Sequence, residues 1–138
     1  MAITQTTCTS FKVELLTGTH DFSSDTFKIA LYTEDATVNA DTTVYSTANE
    51  VVASGYTAGG NTLTVSTTPT SSSTIAYVSF ANTSWSSALT ARGALIYNSS
   101  KSDKAVSVLD FGADKTSSAT FVVTFPTAGA TSAIVRIS

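Results

Sequence analysis

His20 is the only imidazole in the chain and Cys8 the only thiol, so any Ser-His-Asp or thiol-nucleophile reading would have to use one of them. A Ser-His-Asp site needs the histidine held by a carboxylate and facing a serine. Asp21 follows His20 directly in sequence, and adjacent side chains rarely orient one another. No serine stands in a Gly-x-Ser-x-Gly turn. His20 is therefore expected to be a loop residue at the exit of the first helix. Cys8 would need a neighbouring cation to become a thiolate. Its sequence neighbours are neutral, so a bystander thiol is expected.

The carboxylates are as sparse. Asp21 and Asp25 flank Phe-Ser-Ser, and Asp110 and Asp114 flank Phe-Gly-Ala. A calcium loop supplies about six to eight oxygens at alternating positions, and neither segment has that pattern. Solvated, turn-capping aspartates are expected instead. Paired-carboxylate hydrolysis needs two acids at a fixed gap in a cleft, and the spacing offers nothing toward it. Trp85, with Tyr32, Tyr45, Tyr56, Tyr77 and Tyr97, has the chemistry of a sugar-stacking platform, but strand aromatics more often pack across strands. Gly55 to Gly60 carries three glycines without a following Lys-Ser/Thr, so it reads as a tight turn, not a phosphate loop. No catalytic residue, cofactor or metal ligand is expected.

The composition points the same way. Serine and threonine together number 47 of 138 residues, against 17 charged side chains. The net charge of −3 and the scattered lysines and arginines argue against nucleic acid and against anionic membranes. A lone cysteine excludes an internal disulfide and fits synthesis in a reducing compartment. The first residues show no basic region or apolar stretch of signal length, and no window approaches the roughly 18 apolar residues that span a bilayer. Synthesis in the cytoplasm without general secretion is the expectation.

The elements that must position these residues are mostly strands. Residues 10–16 form the one plausible helix, with Ser10 as its cap and Gly18 as its stop. From Thr26 onward the apolar period is two. Phe27, Ile29 and Leu31 share a face, as do Leu63 and Val65, Val78 and Phe80, Val106 and Val108, Phe121, Val123 and Phe125, and Ala133, Val135 and Ile137. Ala94 to Tyr97 is apolar on both faces and reads as a central strand. Gly59-Gly60-Asn61 and Asn98-Ser99-Ser100 supply turns, and Pro69 and Pro126 are expected to end strands. The pattern predicts an all-β, single-domain antiparallel β-sandwich, jelly-roll or Ig-like Greek key, with one short N-terminal helix. The long irregular stretch 33–48, with Glu34, Asp35, Asn39 and Asp41, is a candidate interaction loop. Residues 1–9 hold little besides Ile3 that would anchor them. They are expected to be an arm outside the domain of residues 10–138, with Ile3, Thr4 and Gln5 available to a partner.

Several segments together resemble small virion structural proteins of tailed bacteriophages. They are TQTTCTSFKVELLTGTHDF (4–22), DTFKIALYT (25–33), Asn49-Glu50-Val51, GYTAGGNTLT (55–64), ARGALIYN (91–98), AVSVLDFGADKTSS (105–118), FP (125–126) and AIVRI (133–137). The resemblance spans nearly the whole chain and implies no catalytic or ligand residue. It implies a non-enzymatic capsid decoration or cement protein that binds across neighbouring copies of the major capsid protein. A homo-oligomer is implied with it, a trimer favoured. The alternative is a tail-associated adaptor or receptor-binding module.

Overall fold

The computed structural model describes residues 3–138. The chain opens with a two-residue strand, β1 (Thr6–Thr7), which runs directly into helix α1 (Thr9–Leu16). Cys8 is the N-cap in extended conformation and makes no side-chain cap. The expected cap, Ser10, instead lies inside the first turn with a buried hydroxyl that has no partner. Gly18, at φ +72°, follows the helix end as expected. Only Phe11 of α1 is fully buried, and Val13 and Leu16 face outward.

Strand β2 (Phe27–Tyr32) occupies the segment where the alternation is cleanest. β3 (Asn61–Thr62) pairs with it, and β4 (Val65–Ser72) and β5 (Ile75–Phe80) form a hairpin. β6 (Thr83–Trp85), β7 (Thr90–Asn98), a 3-10 turn (Ser99–Lys101), β8 (Lys104–Thr116), β9 (Phe121–Val123) and β10 (Val135–Ile137) complete the chain. The main sheet has the order β1-β8-β7-β2-β3, and all its named pairings are antiparallel. Two smaller antiparallel sheets have the orders β10-β5-β4 and β6-β9. The fold is an all-β single domain with one helix.

The core lies on both faces of the main sheet, so Ala94 to Asn98 of β7 are buried without interruption. On one face Phe27 stacks on Phe22 at 4.4 Å between ring centroids and meets Phe80 of β5 at 6.0 Å, which joins the main sheet to the smaller one. On the other, Tyr97 stacks on Tyr45 at 4.6 Å, bringing the long loop after β2 down onto the sheet. Such aromatic pairs add about 0.5–1.5 kcal/mol each beyond the area they bury.

Three further expectations about the fold fail. The free arm is the first: from residue 3 onward it is part of the domain. Ile3 is buried and forms a parallel bridge with Val38, the Thr4 amide donates to the Val38 carbonyl, and Thr6 and Thr7 pair with Val108 and Ser107 of β8. Cys8 is 0% exposed. The pairing supplies what composition could not, because β8 presents an edge that a hydroxyl-rich strand can join through its backbone. Met1 and Ala2 of the expected arm lie outside the described residues. Second, Pro69 sits within β4. It is tolerated because β4 is an edge strand whose register shifts between Thr67 and Thr70. Third, Leu63 and Val65 do not share one strand. The Leu63 amide donates to the Phe27 carbonyl, after which the chain leaves the main sheet and starts β4 in the smaller one.

Gly60 lets the chain approach β2 closely before that crossing. At φ +76°, a Cβ there would lie 1.7 Å from the Ile29 carbonyl oxygen, so no side chain fits.

Candidate functional site

The expected interaction loop is built of turns pinned at both ends. The Thr33 amide donates to the Asn49 carbonyl, and the Asn49 side chain donates back to the Asp35 carbonyl at 3.2 Å. Asn39 Oδ1 accepts from the Asp41 amide at 2.8 Å, and Thr42 Oγ1 accepts from the Asn39 amide at 3.0 Å. Ala36 and Val38 point into the core, while the side chains of Glu34, Asp35 and Asp41 form no ion pair among the described residues. Between the two limbs of the loop lies a basin of about 510 Å3, lined by Tyr32, Asp35, Thr37, Val44, Ser46 and Asn49 among others. Asp35 is thus part of a recess. Ile3 and Thr4 are not, since they join the domain's own edge; Gln5, whose Oε1 accepts from the Asp110 amide at 3.1 Å, lines a different recess.

A second recess of about 720 Å3 opens beside the far half of β8. Leu109, Phe111, Phe121, Phe125 and Ile134 form its apolar wall, with Lys115 beside them. β8 bulges here: Gly93 pairs with Asp110 while Ala91 pairs with Lys115, so residues 111–114 stand out of the ladder.

The groups that could do chemistry are occupied. Glu50 is buried, and its Oε1 accepts from the Tyr45 hydroxyl at 2.6 Å. Its Oε2 accepts from the Tyr56 hydroxyl at 2.6 Å and from the Gly59 amide at 2.8 Å. The Tyr56 oxygen in turn accepts from the Leu31 amide at 2.8 Å, and the Tyr97 hydroxyl donates to the Gly59 carbonyl at 2.6 Å. One carboxylate therefore clamps the segment 45–59 to β2. Burial first, then the hydrogen bond to Glu50, raises the hydroxyl pKa of Tyr45 and of Tyr56 well above the usual tyrosine range. Burial, followed by the Asp103 and Glu50 charges, pushes Tyr97 up to about 12. All three stay protonated donors near neutral pH.

His20 lies in the loop that follows α1, as expected, but it is buried there. Its side chain is 0% exposed, with Nε2 at 2.8 Å from Glu14 Oε1 and Nδ1 at 3.0 Å from Asn98 Nδ2. No serine hydroxyl is among its hydrogen-bond partners. Asp25 also departs from expectation. Its carboxylate is 7% exposed and takes both oxygens to Lys101 Nζ, at 2.8 and 3.0 Å. Burial pushes this carboxyl up, but hydrogen bonds from Lys101, Asn98 and the Asp21 amide outweigh it and hold it below the ordinary carboxylate range. Asp21 is the turn-capping aspartate that the sequence suggested, with Oδ1 accepting from the Ser23 amide at 2.9 Å.

Burial, and then the Glu14 charge, pushes the Cys8 thiol up to about 11, which leaves it protonated and unreactive. Trp85 is buried between Tyr56 and Phe121 and cannot stack on a sugar from outside. Among the described residues no group of three or more His, Cys, Asp or Glu side chains could hold a metal ion. No helix among them is long and apolar enough to cross a membrane.

Sequence reasoning passed over Glu50 as a functional position. Its signal was local: an acid flanked within 11 residues by Tyr45 and Tyr56, and followed by the Gly59-Gly60 turn.

No family model matches the chain, and neither a curated protein nor a solved structure matches it.

Proposed function

We propose that this chain is a non-enzymatic structural protein of a bacteriophage virion, a decoration protein that sits on the capsid and bridges neighbouring copies of the major capsid protein. The observation that supports it is where the ionisable groups go. The buried ones, Glu50, His20 and Asp25, are each consumed by internal partners. What remains outside is a hydroxyl-rich surface and the loop 33–49 with its unpaired carboxylates. A surface of short side chains loses little rotamer entropy when it is ordered against a partner, and an interface built this way needs no reacting group. The family resemblance supplies the object covered and the expected homo-oligomer, a trimer.

Quantitative mass spectrometry of purified particles tests the reading. Hundreds of copies per particle, on the scale of the capsid protein itself, are expected. A few copies to a few dozen would overturn decoration in favour of a tail module. The loop is tested separately with the triple variant Glu34→Ala, Asp35→Ala, Asp41→Ala, whose positions are all exposed. It is expected to keep the parent's melting temperature within about 2 °C, as surface changes usually do, and to lose binding to particles stripped of this protein. Undiminished binding would remove the loop from the interface.

A further inference from the structure

A chain of hydrogen bonds runs through the corner where α1, the turn 21–25 and the β7–β8 connection meet. Its orientation is fixed from both ends. The Asn98 side chain is 0% exposed. Its Oδ1 accepts from the Ser100 amide at 3.0 Å, and its Nδ2 donates to Asp25 Oδ2 at 2.8 Å. A backbone donor on one side and a carboxylate on the other leave the amide one orientation. Nδ2 must then also be the group that faces His20 Nδ1, at 3.0 Å. Nδ1 is therefore an acceptor, and the ring proton sits on Nε2, where Glu14 Oε1 accepts it at 2.8 Å.

We propose that His20 is an acid-sensitive latch on this corner, neutral with its proton on Nε2 when closed, and released when Nδ1 takes a second proton from solvent. A proton on Nδ1 would meet the Asn98 N–H donor to donor. Turning the amide over would set its oxygen against Asp25 and its N–H₂ against the Ser100 amide, so no rotation relieves the clash. The corner has to open. The bonds at stake beyond Asn98 are the Thr26 amide to Ser100 Oγ, at 2.8 Å, and the Ser99 amide to the Thr26 carbonyl, at 3.0 Å. They tie the 3-10 turn to the start of β2.

The charges around the ring are Glu14 of α1, which also meets Lys104 of β8 at 3.5 Å, and, beyond Asn98, Asp25 with Lys101 of the 3-10 turn. Asp21 adjoins in sequence and faces solvent, and the buried Cys8 thiol lies within the field of Glu14. Phe11 and Phe27 flank the ring at 4.9 and 6.4 Å and offer a second proton no acceptor.

Because His20 is the only histidine, nitrogen NMR of its ring reads one site. At neutral pH the ring is expected to show Nδ1 bare and Nε2 protonated. On acidification the ring signal and the protection factors of the Ser99 and Ser100 amides are expected to change with one midpoint. Protection should fall by about tenfold to a hundredfold, the population change that a lost buried hydrogen bond brings. In the variant His20→Gln, whose amide can accept from Asn98 and donate to Glu14 but takes no proton, that step should vanish. A ring proton on Nδ1 at neutral pH overturns the proposal. So does protection that falls only in the carboxylate range, or a step that survives unchanged in His20→Gln. If that variant does not fold, the comparison of ring and amide midpoints in the parent protein decides alone.

Discussion

Glu50, Asp25 and Cys8 show how burial turns reactive groups into structural ones. Glu50 accepts three hydrogen bonds inside the protein, so Glu50→Ala strands two tyrosine hydroxyls and the Gly59 amide. Hydrogen bonds to a charged group contribute about 1.5–3 kcal/mol each, with losses less than additive. Glu50→Ala is expected to cost about 3–5 kcal/mol in urea unfolding, and Glu50→Gln less, since it keeps an acceptor. A loss under about 1 kcal/mol would mean that the clamp holds nothing. Asp25 carries an acid signature. Its carboxyl lies below its unfolded value in the native state, so its contribution is present above the unfolded pKa and is lost as pH falls through the folded one. The urea midpoint of the parent should therefore fall below about pH 4, the ordinary aspartate range, and that of Asp25→Asn should fall less over the same interval. Cys8, with its thiol near 11, should resist alkylation at neutral pH in the native protein and react at once in urea. Ready alkylation of the native protein would contradict its burial. The residue types announced none of these roles, because each depends on a partner between 5 and 76 residues away.

At the scale of elements, the alternation of apolar residues located β2, β5 and β8, and an unbroken apolar run located β7, without help from tertiary structure, since both patterns are properties of the strand itself. The short elements were another matter. β1 is two residues of threonine, too brief for any pattern, and it exists because β8 offers its edge at Ser107 and Val108. Ile3 then fills the space above Gly93, where a Cβ would stand 2.8 Å from Ile3 Cγ2 and 2.6 Å from the Leu109 carbonyl oxygen. Deleting residues 2–8 is therefore expected to lower the melting temperature by many degrees, because it uncovers the β8 edge and removes Ile3 and Cys8 from the core. An unchanged melting temperature would restore the free arm. β4 went astray for a related reason: whether Pro69 stops a strand depends on whether its missing N–H faces a neighbour, and only the order β10-β5-β4 settles that.

For the whole molecule, the hydroxyl-rich, β-branched composition foretold an all-β domain. The proposed role on a capsid rests on that character, on the resemblance and on the loop 33–49, and the particle count decides it. By itself the sequence determined most of the longer strands, where the main turns fall and how few histidines and cysteines are available, because periodicity and composition are local quantities. Tertiary structure alone decided that the N-terminal residues belong to the core, that the strand after Gly60 changes sheets, and that Glu50 and His20 are buried hubs. Each of those outcomes is a pairing between distant residues, and a backbone edge or a buried carboxylate selects its partner by position in space, which residue type and spacing do not encode.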